Sequence, residues 1–109
     1  MRLDERPDLT GAELLRLARG SIEHGLVHGN PLPVDCSELP APLTELAATF
    51  TTLRTDGELR GCCGILEAVR PLAEDVSHSA FTAAFRDPRF SPLGKHELET
   101  ILLDISVLS

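Results

Sequence analysis

The chain has 109 residues, of which 42% are hydrophobic, so it fits one compact domain with a modest core, and we predict a single domain over residues 1–109. The net charge of −7 argues against general binding of nucleic acids or of anionic membranes, because both attract basic proteins. The sequence shows no apolar segment near the roughly 20 residues that cross a bilayer, no secretion signal after Met1 and a poor disulfide framework, so we expect a soluble cytoplasmic protein.

The first predicted element is a helix over about residues 11–27. Its apolar stripe recurs every four residues and consists of Leu14, Ala18, Ile22 and Leu26. Gly29 and the residues that follow it end the helix. Four prolines then lie among polar residues between positions 31 and 42, a composition typical of an extended loop.

A β-hairpin is predicted next, around Asp56 and Gly57. This dipeptide lies between apolar and β-branched segments and is the strongest short-range hairpin signal. A two-residue turn there pairs Thr55 with Glu58. Counting outward sets Leu53 opposite Arg60, Thr51 opposite Cys62, and Phe50 opposite Cys63.

A second helix is predicted from Pro71 to the residues just before Asp87. Proline suits the first helical position, and the residue that precedes Pro88 disfavours helical backbone. The last element is a strand, because one of its faces is wholly apolar and consists of Ile101, Leu103, Ile105 and Val107. A strand this apolar usually has partners on both sides, so we expect that the chain is a fragment or is completed by another polypeptide.

The segment LRGCCG, residues 59–64, carries the first candidate site. Side chains alternate along a strand, so Cys62 and Cys63 face opposite sides of the sheet. Cys63 fits the core as a small hydrophobic residue. Cys62 shares its face with Arg60 and lies opposite Thr51, two groups that favour a reactive thiolate.

Gly61 and Gly64 leave open backbone around Cys62, where a substrate could approach. The alternative is that both glycines serve a bulge or tight packing and that Cys62 is inert. Adjacent cysteines lack the spacing of a zinc site, and a disulfide between them contradicts the alternation of the strand. We therefore predict no metal site.

The segment FRDPRF, residues 85–90, carries the second candidate site. Arg86 and Arg89 either bind anions in a cleft or pair with Asp87 to lock a turn. His78 lies on the same side of the second helix as two phenylalanines. It is a histidine at the edge of the core, or a general base if Cys62 lies within reach.

Four strings occur in order along the chain: GELRGCCG, RPLAEDV, AAFRDPRFSPL and LDISVLS. Together they resemble the AMMECR domain family, whose bacterial and archaeal members are called AmmeMemoRadiSam system protein A. The resemblance implies a two-lobed α+β fold with an antiparallel sheet, a central hairpin and flanking helices. It also implies a cleft near LRGCCG and a domain that continues beyond the last strand, so the chain is predicted to be incomplete at its C-terminus.

The resemblance implies a gene neighbourhood with a radical SAM protein and a Memo-type protein, and no established activity or cofactor. We therefore predict a component of a small modification system that acts on an unknown small-molecule or protein substrate. In this hypothesis Cys62 is a functional thiol tuned by Arg60. The equal alternative is a non-enzymatic binding or scaffold module in which LRGCCG is structural. The predicted cleft residues are Thr51, Gly61, Gly64, His78, Arg86, Asp87 and Arg89.

Overall fold

The computed structural model describes residues 9–108. This part of the chain contains three α-helices and four strands, with short 3-10 turns at Cys36–Glu38 and Lys95–Glu97. In chain order the elements are α1 (Leu9–His28), α2 (Ala41–Thr44), β1 (Leu46–Thr55), β2 (Glu58–Gly64), β3 (Arg70–Pro71), α3 (Leu72–Phe85) and β4 (Leu102–Leu108). The α+β class with an antiparallel sheet is thus confirmed.

The two long helices follow their apolar periodicity. In α1 the residues Leu14, Ala18 and Ile22 are completely buried, as the four-residue repeat predicts. The helix α3 begins directly after Pro71 and ends before Asp87, as predicted from the two prolines. No helix within residues 9–108 is long and apolar enough to span a membrane.

The sheet is built around β1, which pairs antiparallel with each of the other strands. Residues 50–54 of β1 pair with β2 and with β4 at once, so these two strands lie on opposite sides of β1. The alternation predicted for the last strand is confirmed, because Ile101, Ile105 and Val107 are buried.

The hairpin register predicted by counting is wrong beyond its first pairs. Thr55 pairs with Glu58 as expected, but Leu53 lies opposite Gly61 and Thr51 lies opposite Cys63. A β-bulge between Leu53 and Arg54 adds one residue, Arg60, to β2 and shifts every later pair.

The two faces of the sheet have different surroundings. On one face α3 packs on β1, and polar side chains join them: the buried Asp75 accepts hydrogen bonds from Thr49 N (2.8 Å) and Thr49 Oγ1 (2.6 Å). Ser79 of α3 bonds to Thr51 Oγ1 at 2.7 Å on the same face. On the other face the side chain of Phe50 is 41% exposed. This second, open face is where Cys62 lies.

Candidate functional site

The structure separates the two adjacent cysteines as the alternation of the strand predicts. Cys63 lies opposite Thr51, packs against the hydrophobic core and contacts Thr82 of α3. Burial raises the pKa of the Cys63 thiol above its usual value. Cys62 instead pairs with Thr52, on the open face of the sheet.

The thiol of Cys62 is held by the turn that follows α3. Arg89 Nη2 donates to Cys62 Sγ at 2.8 Å, and the backbone N–H of Cys62 donates to Asp87 Oδ2 at 3.1 Å. A guanidinium in contact with sulfur stabilises the thiolate, which is the nucleophilic form of cysteine. The predicted partners of this sulfur were Arg60 and Thr51, but the bulge places Thr51 opposite Cys63, and the Arg60 guanidinium is paired with Glu97.

Asp87 fixes the position of Arg89. Its carboxylate accepts from Arg89 N (3.0 Å), Arg89 Nε (3.0 Å) and Arg89 Nη2 (2.7 Å). These hydrogen bonds hold the pKa of Asp87 well below its usual range and raise the pKa of Arg89. The guanidinium therefore stays charged and keeps one orientation toward Cys62.

The turn itself follows from the sequence FRDPRF. Phe90 N donates to Asp87 O at 3.1 Å, and Pro88 occupies the second position of the turn, where its fixed φ angle is favourable. The N–H of Cys62 points away from β1, so the Asp87 carboxylate satisfies a donor at the outer edge of β2. The Asp–Arg pair predicted to lock the turn is thus present, and the turn presents Arg89 to the sulfur. Anion binding by Arg86 and Arg89 stays a prediction.

Arg60 belongs to a neighbouring ion pair. Its Nε and Nη2 donate to the two carboxylate oxygens of Glu97 at 2.6 and 3.0 Å, and Nη2 also donates to Ser91 O at 3.0 Å. Both Arg60 and Arg89 lie over the ring of Phe90, with their Cζ atoms 5.9 and 5.4 Å from the ring centroid. Arg60 therefore anchors the 91–97 segment to β2, and the predicted tuning of Cys62 by Arg60 is not supported.

We expect the Arg60–Glu97 pair to make stability depend on pH. The pKa of Glu97 is lowered from 4.5 to about 2, mainly by the hydrogen bonds from Arg60 and next by the hydrogen bond from the Gly94 N–H. Ionised Glu97 therefore stabilises the fold at neutral pH, and this contribution is lost as the pH falls from about 4.5 through about 2. Urea unfolding should show Glu97→Gln less stable than the parent at neutral pH, with the difference vanishing near pH 2.

The exposed neighbour Glu99 provides the control for this measurement. Glu99→Gln should unfold like the parent at neutral pH. A Glu97→Gln deficit that persists unchanged down to the lowest pH would contradict an ionic contribution of Glu97.

The two glycines predicted at the site lie on opposite faces of the sheet. Gly61 is buried, and a Cβ there would collide with the backbone carbonyl of Ala83 in α3, so this glycine serves close packing. Gly64 lies under the ring of Phe50, beside Cys62 on the open face. A Cβ at Gly64 would collide with the Phe50 ring, so both glycines support the packing alternative.

Thr51, Arg86 and His78 lie away from Cys62. Thr51 is completely buried on the helix-covered face, and Arg86 stacks over the ring of Phe81 at 5.5 Å. His78 lines a cavity beside the first turns of α3 that contains no residue of the thiol site. The structure therefore gives His78 no role as a general base for Cys62.

Two residues near Cys62 could not be identified as site residues from the sequence. Glu97 lies 37 positions from Arg60, and Thr52 becomes the neighbour of Cys62 only through the bulge. Within residues 9–108 no group of three or more acidic, histidine or cysteine side chains is arranged to hold a metal ion.

Comparison with known protein families identifies the family of the chain. The model of the AMMECR1 family matches residues 15–109. The chain belongs to the AMMECR1 family. Uncharacterized protein PH0010 from Pyrococcus horikoshii, an experimental structure, is similar with a TM-score of 0.81 and 33% identity, over 89% of this chain and 50% of that one.

Archaeal AMMECR1 relatives show the same partial overlap. A protein of Aeropyrum pernix is 39% identical over 109 residues, covering 96% of this chain and 46% of its own length. A protein of Sulfolobus acidocaldarius is 42% identical over 103 residues, covering 91% of this chain and 44% of its own length. The chain thus spans about half the length of the curated AMMECR1 relatives it matches.

Proposed function

We propose that this AMMECR1 chain uses Cys62 as a nucleophilic thiol in covalent group transfer. The observation that carries the proposal is the 2.8 Å contact from Arg89 Nη2 to Cys62 Sγ, in which the Arg89 guanidinium is itself fixed by Asp87. A positioned cation beside sulfur favours the thiolate without a general base. Asp87 acts as a positioning residue, and Arg89 acts as the activating one.

The chemistry proposed is displacement at an electrophilic centre of the substrate. The Cys62 thiolate forms a bond to that centre, and the electron pair of the broken bond leaves with the departing group. A second nucleophile, supplied by the acceptor, then releases the transferred group and restores the thiolate. The substrate is a small molecule or a protein that reaches the open face of the sheet beside Phe50 and Thr52.

In the wider context, we propose a cytoplasmic component of a modification system that also contains a radical SAM protein and a Memo-type protein. This part of the proposal rests on the kinship of the chain with the AMMECR1 family. The thiol proposal rests on the geometry at Cys62 and is tested separately.

We expect limiting iodoacetamide at neutral pH to label Cys62 before the other two cysteines. Burial raises the pKa of the thiols of Cys36 and Cys63, and the neighbouring Glu74 raises that of Cys36 further. Peptide mass spectrometry at short reaction times gives the order of labelling directly. Cys63→Ala is the control, since it removes the adjacent thiol from the same peptide.

A specific observation favours the non-enzymatic alternative. The ion pairs of Arg60 with Glu97 and of Arg89 with Asp87 both fasten β2 to the segment after α3, as a rigid module requires. If Cys62 is labelled no faster than Cys63 in the folded chain, the thiol proposal is wrong and the module is favoured.

A further inference from the structure

The cavity that His78 lines lies beside the first turns of α3, and no residue of the thiol site lines it. Its volume is about 210 Å³. One wall is the proline-rich loop 31–34, and the other is polar and includes Arg70, Glu74 and His78. We propose that this cavity binds a small free α-amino acid, with Arg70 receiving the carboxylate and Glu74 the ammonium group.

The Arg70 guanidinium is held in place and, within the described part of the chain, has free donors that could bind a carboxylate. Its Nη1 donates to Asp75 Oδ1 at 3.1 Å, and the Asp75 side chain is only 1% exposed. The other Asp75 oxygen is committed to Thr49, so the anchor of the guanidinium is rigid. Among residues 9–108 no acceptor binds the remaining Nε and Nη2 donors, and the Arg70 side chain is 31% exposed beside the cavity. A planar fork with open donors matches the geometry of a carboxylate.

Glu74 supplies the opposite charge. It lines the cavity one helical turn before His78, and its Oε2 accepts a weak hydrogen bond from the Cys36 thiol at 3.8 Å. Burial and the charge of Arg70 lower the pKa of His78, so its imidazole is neutral at neutral pH and does not cancel the charge of Glu74. A simple anion bound to Arg70 is repelled by the neighbouring Glu74 carboxylate, because both residues line the cavity. A zwitterion satisfies both ends.

The loop wall sets the character of the amino-acid side chain. Pro31, Pro33 and Val34 present apolar surface toward the cavity, together with Leu32. This surface favours an aliphatic side chain over a charged one. A cavity of about 210 Å³ leaves room for a single residue and not for a peptide.

The test is isothermal titration calorimetry of the full chain with L-leucine, N-acetyl-L-leucine and L-leucine methyl ester. We expect leucine to bind at millimolar concentration. Either blocked compound should bind about tenfold more weakly, because each loses one charged hydrogen-bonding end. Equal binding of leucine and N-acetyl-leucine would overturn the role of Glu74, equal binding of leucine and its ester would overturn that of Arg70, and no leucine binding would overturn the site.

Two variants link the binding to the cavity. Glu74→Gln changes an exposed carboxylate, and Arg70→Lys keeps the charge beside Asp75 while removing the planar fork. Each should weaken leucine binding about tenfold, the size of one charged hydrogen bond. Glu67→Gln, an exposed residue outside the cavity, should leave it unchanged. Wild-type affinity in the folded Glu74→Gln protein would show that leucine binds elsewhere.

Discussion

Replacing Gly61 with alanine should lower the free energy of unfolding by about 3 kcal/mol, near the upper end of what overpacking in a core costs. An added Cβ collides with the carbonyl oxygen of Ala83 and lies 3.2 Å from its carbonyl carbon. Both atoms belong to the backbone of α3, so no side-chain rotation relieves the contact. The helix must move away from β2, and the buried contacts between α3 and the sheet weaken with it.

Urea denaturation of Gly61→Ala beside Gly20→Ala measures this effect. A Cβ at Gly20, within α1, meets only Leu32 Cδ2 at an ordinary 3.5 Å. Gly20→Ala should therefore leave stability unchanged or raise it by about 1 kcal/mol through helix propensity. Equal stability of Gly61→Ala and the parent would show that α3 does not press on β2 as described.

The periodic elements could be predicted from the sequence because their signals are local. The four-residue repeat of Leu14, Ala18 and Ile22 identifies α1 and its buried face. The alternation around Ile105 identifies β4, and the alternation of a strand is enough to send Cys62 and Cys63 to opposite faces. Each of these patterns depends only on the helix or strand period, which tertiary packing leaves unchanged.

The partners of Cys62 could not be predicted, because they depend on one extra residue in a strand. Counting from Asp56 and Gly57 assumes a regular ladder, whereas the bulge makes Arg60 the added residue. As a result Gly61 lies directly against the backbone of α3, and the Arg60 side chain forms its ion pair with Glu97. A bulge leaves no periodic signal, although a glycine inside a strand is a reason to expect one.

The arginine that contacts Cys62 also differs from the predicted one, for a tertiary reason. Arg60 is two positions from Cys62 in sequence, but Arg89, 27 positions away, is the residue that contacts the sulfur. Its reach depends on the Asp87 turn folding back over the edge of β2. The sequence FRDPRF predicts a turn with an Asp–Arg pair but does not say which strand the turn meets.

Replacing Arg89 with glutamine should slow alkylation of Cys62 at neutral pH by about tenfold. The neutral amide leaves the sulfur without the cationic donor that contacts it at 2.8 Å, so the contact that we propose to activate Cys62 is lost. Arg86→Gln is the matched control: it removes an exposed arginine from the same segment, one that stacks over Phe81 and does not contact Cys62. Circular dichroism of both variants checks that the fold is retained.

The most direct measurement is the iodoacetamide rate of Cys62 in a Cys36→Ser, Cys63→Ala background, compared with the same protein carrying Arg89→Gln or Arg86→Gln. If Arg89 activates Cys62, the thiol reacts about tenfold faster in the parent than in Arg89→Gln, and Arg86→Gln reacts like the parent. Identical rates in all three folded proteins across the pH range would contradict activation of Cys62 by Arg89.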